Sequence, residues 1–303
     1  MELITPSVEI WEQNNSLDGI WAHIARCTRV CYQSASNIKQ GETAEEFVKR
    51  VILRMDSSTG ELNWDKLHGA MLEHGTVYLN CPNISYSNRL GSKYTQSVYD
   101  ETNHQYCITT NLRVLAETGN MKLLDEAVLP TLHKRRVTVS FTTNIGVTRE
   151  FNRHRVNSIA EESTRYCNYS KRNDGSVKFT LPAWLLGENR SYIDHHESTE
   201  VHDYCTDIAD GDDLKWCDVD YYLFALKVSE YCYNNLIRLG WKPQQAREVL
   251  PLATKSQLIH TAFVDDWRHF FALRADGVSG PPHPNAKLVA EPLKQEFIKR
   301  GLL

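Results

Sequence analysis

The 303-residue chain lacks the glycine patterns that hold phosphate through backbone N–H groups. Its 15 glycines form neither Gly-x-Gly-x-x-Gly nor a Gly-Lys-[Ser/Thr] loop, so any nucleotide must be bound by side chains. Gly-x-Ser-x-Gly and His-Glu-x-x-His are absent too, which removes the nucleophile elbow and the zinc helix. The eight cysteines, at 27, 31, 81, 107, 167, 205, 217 and 232, include no Cys-x-x-Cys pair. Cys27 and Cys31 are four apart and share a helix face, where small buried thiols are favoured over a metal seat. His195, His196 and His202 lie in an acidic stretch and read as solvated surface, so no metal site is expected.

A basic excess is missing as well. The formal net charge of −4 argues against nucleic acid as a general partner. No apolar run approaches a membrane span, so no membrane partner is expected. The opening MELITPSVEIWEQ carries acids where a basic leader segment would lie, and scattered thiols suit a reducing compartment; a cytoplasmic location follows as the expectation. Without repeats or a composition break, residues 1–303 read as one domain of mixed α and β class.

The pattern predicts a helix over 18–33, with Ile20, Ile24, Cys27 and Cys31 in helical register and Asp18 as its cap. TAEEFVKRVILRM opens on a capping box, Thr43 with Glu46. STGELN (58–63) reads as a turn, WDKLHGAMLEH as helical and TVYLNC (76–81) as a strand. The polar run 82–103 reads as a long loop, and 103–120 starts irregular before a helix that stops at Gly119. KRRVTVSFTTN (134–144) alternates, with Val137, Val139 and Phe141 on one face, and is the strongest strand signal. A helix follows over GVTREFNRHR (146–155), Val147 and Phe151 being four apart, and 218–240 is a long helix ending at Gly240. VDDWRHFFALRA (264–275) is amphipathic.

The densest polar chemistry lies in RHRVNSIAEESTRY (153–166). Arginine's planar fork suits phosphates and heterocycle edges. If the segment is extended, Glu161, Ser163 and Arg165 point one way, and together could hold a sugar hydroxyl and a phosphate. A helix cap, Ser158-x-x-Glu161 with the arginines as surface charge, explains the same spacing equally well.

Arg-His-Arg followed by seven residues and a serine, continued as Ser-Thr-Arg-Tyr, resembles the signature of flavin-dependent thymidylate synthases. His68-x4-Glu73-His74, the approach TTNIGVTREFNRHR, Ala246-Arg247-Glu-Val-Leu-Pro251 and Phe271-Ala-Leu-Arg274-Ala-Asp276 resemble that family's other elements in family order. The resemblance implies one α/β domain with a central, mostly antiparallel sheet flanked by helices, assembled as a homotetramer with shared active sites. It implies reductive methylation of dUMP to dTMP, with methylenetetrahydrofolate as carbon donor, FAD as redox cofactor and NADPH as reductant. The implied FAD contacts are His68, Arg153, His154, Arg155, Glu161 and His269. The implied dUMP contacts are Glu150, Arg153, Glu161, Ser163, Thr164, Arg165, Arg247 and Arg274. Arg247 would meet the phosphate end, while Arg274 would face the uracil edge and act in catalysis. No Pro-Cys dipeptide is present to support the thiol-dependent route to thymidylate, and Ser163 has no adjacent base that would make it a nucleophile.

The chain departs from the family at Ala160 and at Ala70-Met71, where hydrogen-bonding residues are usual near the flavin, and at His269, where Asn is common. Val278 stands where a His is common, with His283 as its replacement after an insertion. Extra length is expected near 36–66, 82–103 and 189–213. These departures leave a second reading, a non-catalytic nucleotide- or RNA-binding module on the same fold.

Overall fold

The computed structural model describes residues 1–34, 39–54, 68–171, 175–187 and 190–303. The strands placed there are β1 (Glu2–Ile4), β2 (Ser7–Trp11), β3 (Thr76–Cys81), β4 (Gln96–Asp100), β5 (Gln105–Asn111), β6 (Arg136–Asn144), β7 (Ser158–Glu161), β8 (Lys178–Thr180) and β9 (Lys255–Phe263). The α-helices are α1 (Leu17–Tyr32), α2 (Ala44–Val48), α3 (Ser85–Arg89), α4 (Leu112–Glu117), α5 (Ile145–Phe151) and α6 (Arg190–His196). They continue with α7 (Val201–Asp210), α8 (Asp218–Arg238), α9 (Pro243–Ala246), α10 (Val264–Phe271) and α11 (Pro284–Lys299).

The central sheet runs β2-β6-β9-β7, antiparallel throughout, and a second antiparallel sheet runs β3-β5-β4; β1 and β8 form a short parallel pair. The mixed α/β class with antiparallel sheet and flanking helices is therefore as expected. Alternation along β6 decides what each face meets. Val137, Val139 and Phe141 enter a core with Phe151 of α5, Trp267 and Phe270 of α10 and Phe297 of α11. The ring of Phe141 lies 5.0 Å from that of Phe151. On the other side, Thr138 shares a 2.7 Å hydrogen bond with Thr261 of β9 and meets His23 of α1 at 3.0 Å. Burial lowers the His23 pKa to about 4 and that of His260, also on β9, to about 3. Both are neutral at pH 7.

Several elements differ from the sequence reading for identifiable reasons. Ser16, not Asp18, caps α1, accepting from the Gly19 N–H; Asp18 lies in the first turn, where its charge meets the helix dipole. The Thr43–Glu46 capping box forms as predicted. The polar run 82–103 is not a loop: it contains α3 and β4, and β4 pairs with β5. As an edge strand, β4 tolerates exposed polar residues that mask its pattern. The start of 103–120, read as irregular, is β5, and 189–213 contains α6 and α7. The segment Gly69–His74 forms tight 3-10 turns. The turn at 58–63 and the start of WDKLHGAMLEH lie outside the described residues, as does part of the stretch 36–66. No helix among the described residues is long and apolar enough to cross a membrane.

Candidate active site

β6 delivers the chain to the site, and Asn144 at its end turns the strand into α5 by accepting the Val147 N–H at 2.9 Å. α5 buries Val147, Thr148 and Phe151, which fixes its rotation. Arg149 then lies on one side of the helix, lining a cleft, while Glu150 meets Arg274 on another. The helix stops at Phe151, and the next residues turn, His154 N–H bonding back to Phe151. The turn divides the Arg-His-Arg triplet. His154 is buried against Phe270, ring centroids 4.9 Å apart, and Arg153 and Arg155 are exposed. Neither guanidinium has a hydrogen bond or ion pair among the described residues.

Arg274 is held from three directions. Its Nη1 donates to the Glu150 carboxylate at 3.0 Å, Nη2 to the Glu150 carbonyl at 2.9 Å and Nε to His154 Nε2 at 3.2 Å. A ring nitrogen that accepts must be unprotonated. Burial, with Arg274 and His269 nearby, lowers the His154 pKa to about 4 and keeps that lone pair available at pH 7. His269 is exposed on α10, its ring 5.9 Å from that of His154. Arg274 itself sits in a wide π-type turn, Ala272–Asp276, that ends at Gly277. Gly277 has φ +71°, and a Cβ there would meet Gly280 O and Pro282 Cδ at 2.8 Å each. Only glycine lets the 277–283 segment fold back over Arg274 and form an open pocket of about 250 Å³ with Glu150 and His283. His283 caps α11, whereas Val278 is exposed.

The other side of α5 faces a cleft of about 570 Å³ lined by Thr148, Arg149, Glu161, Ser163, Thr164 and Arg247, among others. β7 ends at Glu161, whose carboxylate receives Asn152 Nδ2 and Ser256 Oγ, each at 3.0 Å. The next carboxylate, Glu162, also lines the cleft; it is largely buried and pairs with Lys255 Nζ at 2.5 Å. Ser163 donates its N–H to Cys31 O at 2.9 Å, and its hydroxyl accepts the Arg165 N–H in a local turn. Thr164 Oγ1 accepts from Arg247 Nη1 at 3.0 Å.

Two readings of 153–166 are thereby corrected. Ser158–Glu161 is a strand paired with β9, not a helix cap. The extended stretch ends at Glu161, so Glu161, Ser163 and Arg165 do not point one way; Arg165 turns toward α9 and donates to Gln244 at 3.0 Å. Ala160 faces away from Glu161 into the core near Ile259, so a hydrogen-bonding group there would be buried. His68 is exposed at the start of Gly69–His74 and shares no described contact with Arg153, His154 or Arg274. Ala70 is exposed, and Met71 packs in the core with Cys31 Sγ 3.7 Å from its sulfur. Asn152 and Glu162 lie inside the sequence motifs without a role assigned there, and Ser256 and Lys255 lie outside them; all four support the site. The adjacency of Glu161 and Glu162 was their one sequence signal, since neighbours on a strand face opposite ways.

The sequence profile of the thymidylate synthase complementing protein family matches residues 121–299, more than half of the chain. The chain belongs to that family. The matched span contains α5, the 153–166 segment, Arg247 and Arg274, and thus both sides of the site. No curated protein sequence matches the chain. Among solved structures, the UMP/dUMP methylase PolB from Streptomyces cacaoi bound with 5-Br dUMP is similar, with TM-score 0.43 and 17% identity over 99% of this chain and 93% of that one. The same protein bound with 5-Br UMP gives TM-score 0.43 and 18% identity over 99% and 92%. Likeness of that degree carries no weight for either fold or chemistry. Family membership associates the chain with thymidylate formation, and the side chains above define how it could take part.

Proposed function

We propose that the protein methylates dUMP reductively to dTMP, taking the one-carbon unit from methylenetetrahydrofolate, with FAD as redox cofactor and NADPH as reductant. The observation that carries this reading is the fixed Arg274, which lies within the matched family span on the far side of α5 from a cleft lined by Glu161, Ser163, Thr164 and Arg247. A guanidinium has five N–H donors. Three are engaged by Glu150 and His154, which leaves two for a substrate edge. Methyl transfer to uracil C5 places negative charge on the ring, and a preorganised cation stabilises that charge without reorientation. Glu161, held at both oxygens, presents a fixed acceptor, and Ser163 and Thr164 offer hydroxyls to the nucleotide. Arg247 and Arg149 supply positive charge for its phosphate. Arg165 joins this set by turning back from Gln244.

The donor set also fits a flavin dinucleotide. Arg153 and Arg155 are exposed without acidic partners and flank the neutral, buried His154, a pattern suited to a pyrophosphate beside an uncharged ring contact. Glu161, His269 and His68 complete the proposed FAD contacts. FAD, once reduced by NADPH, would supply the electron pair that reduces the one-carbon unit to methyl. The Arg274 cavity and the Arg247 cleft open on different sides of α5, so we place each complete site between protomers of a homotetramer. The whole chain acts as one such domain in the cytoplasm, with 36–66, 82–103 and 189–213 as additions. The purified protein should show the visible absorption of bound FAD; a colourless protein that takes up no added FAD would end this reading.

A further inference from the structure

The Arg274 cavity shares two lining residues, Glu150 and His283, with a second cleft of about 400 Å³ that none of the assignments above uses. Its walls are rich in rings. Trp184 is 60% exposed at its lip, 6.1 Å from the His283 ring with a 64° tilt, and Tyr222 and Pro182 lie deeper. A single exposed tryptophan means little, but three ring systems lining one concavity form a stacking surface. Polar groups are present in small number, as in sites that orient a ligand. Thr180 lines the cleft, and its buried hydroxyl has no hydrogen-bond partner among the described residues. Glu150 engages Arg274 through one carboxylate oxygen, Oε2, leaving Oε1 for a ligand N–H. The Tyr222 hydroxyl donates to Thr180 O at 3.3 Å and holds that strand end in place.

We propose that this cleft binds the planar, nitrogen-bearing ring of a heterocyclic co-substrate, stacked on Trp184 with its N–H edge toward Glu150 and Thr180. The inference rests on the functional reading above for the identity of the co-substrates. The pterin of the folate and the nicotinamide of the dinucleotide share the required chemistry: a flat ring carrying an N–H donor beside an acceptor. The shared Glu150 links the ring's occupancy to the placement of Arg274.

The test is calorimetric titration of the FAD-loaded protein with NADP⁺, with tetrahydrofolate and with dUMP, for the unaltered chain, Trp184→Ala, Trp184→Phe and Thr180→Val. Loss of a stacking ring should weaken one of the first two ligands roughly tenfold. Affinity for dUMP should hold, Trp184→Phe should recover most of the loss, and Thr180→Val should show a smaller loss for the same ligand. The ligand affected identifies the ring. Unchanged affinity for both NADP⁺ and tetrahydrofolate would overturn the proposal, and so would a parallel loss of all three ligands. If Trp184→Ala does not fold, Thr180→Val decides by the same criterion. Formation of dTMP by the unaltered protein is followed alongside. Active protein indifferent to Trp184 rejects the cleft alone; ring binding through Trp184 with no dTMP formed rejects the functional reading alone.

Discussion

Arg274 and Arg247 lie on two sides of α5 and are held in opposite ways. Arg274 is largely buried, with its fork fixed by the side chain and carbonyl of Glu150 and by a neutral His154. Arg247 is exposed, touches Thr164 through one N–H and has Glu248 only at 3.7 Å. A cation held in a fixed orientation can stabilise charge that appears during a reaction. A mobile one in water can attract a phosphate that is already charged, but it contributes little that is specific to the transition state. Under the proposed function, the contrast would give chemistry to one side of the helix and capture to the other.

The largest test of that contrast is Arg274→Ala. It should lower the turnover number for dTMP formation by roughly 10²–10³, measured at saturating dUMP with the fold checked by circular dichroism. Arg274→Lys should rescue little, because a single ammonium cannot reproduce the three-way fork. Full activity in either variant would remove Arg274 from the reaction.

Next in size is a stability effect on the open side. Lys255→Ala strands the buried Glu162 carboxylate and should cost about 3–5 kcal/mol in denaturant unfolding. Adding Glu162→Gln should recover much of it. Equal stability of the single and double variants would mean that the pair is not coupled.

Acid sharpens the comparison from the Arg274 side. The folded-state pKa values of His154 (about 4), His23 (about 4) and His260 (about 3) lie below the ordinary value near 6.5. The unfolded chain therefore binds more protons between these values, so this stability is complete above pH 6.5 and is lost as pH falls toward 4. Each histidine should contribute a slope of up to about 1.4 kcal/mol per pH unit in that window. Melting temperatures across pH 4–7 measure it; a flat profile would contradict the buried neutral assignments.

The smallest effect belongs to Arg247→Ala, with KM for dUMP rising about tenfold at low salt and the turnover number nearly unchanged. The difference from the unaltered protein should shrink at about 1 M salt, where exposed charges are screened within a few ångströms. A turnover defect matching that of Arg274→Ala would abolish the division of roles.

Sequence pattern revealed the β6–α5 passage because the alternation of Val137, Val139 and Phe141 and the four-residue spacing of Val147 and Phe151 are local signals. β9 was not recognised: in KSQLIHTAF nearly every residue is buried, and histidine and threonine face inward as readily as leucine. β4 was hidden by polar residues that its edge position permits, and β5, central in its sheet, by Thr109, Thr110 and Asn111, which are polar yet buried. Within 153–166, spacing alone could not distinguish a strand from a cap, because the deciding partner is β9, about 100 residues further along the chain. The same distance effect concealed the Arg274–Glu150 pair, 124 residues apart. Resemblance selected both residues, but their ion pair and the lone pair of His154 emerge only from the folded arrangement.

The most direct measurement is dTMP formation from dUMP, methylenetetrahydrofolate and NADPH by protein stripped of cofactor, with and without added FAD. The account predicts dTMP only when FAD is restored. Equal dTMP formation without FAD, or none in the complete mixture, would contradict it.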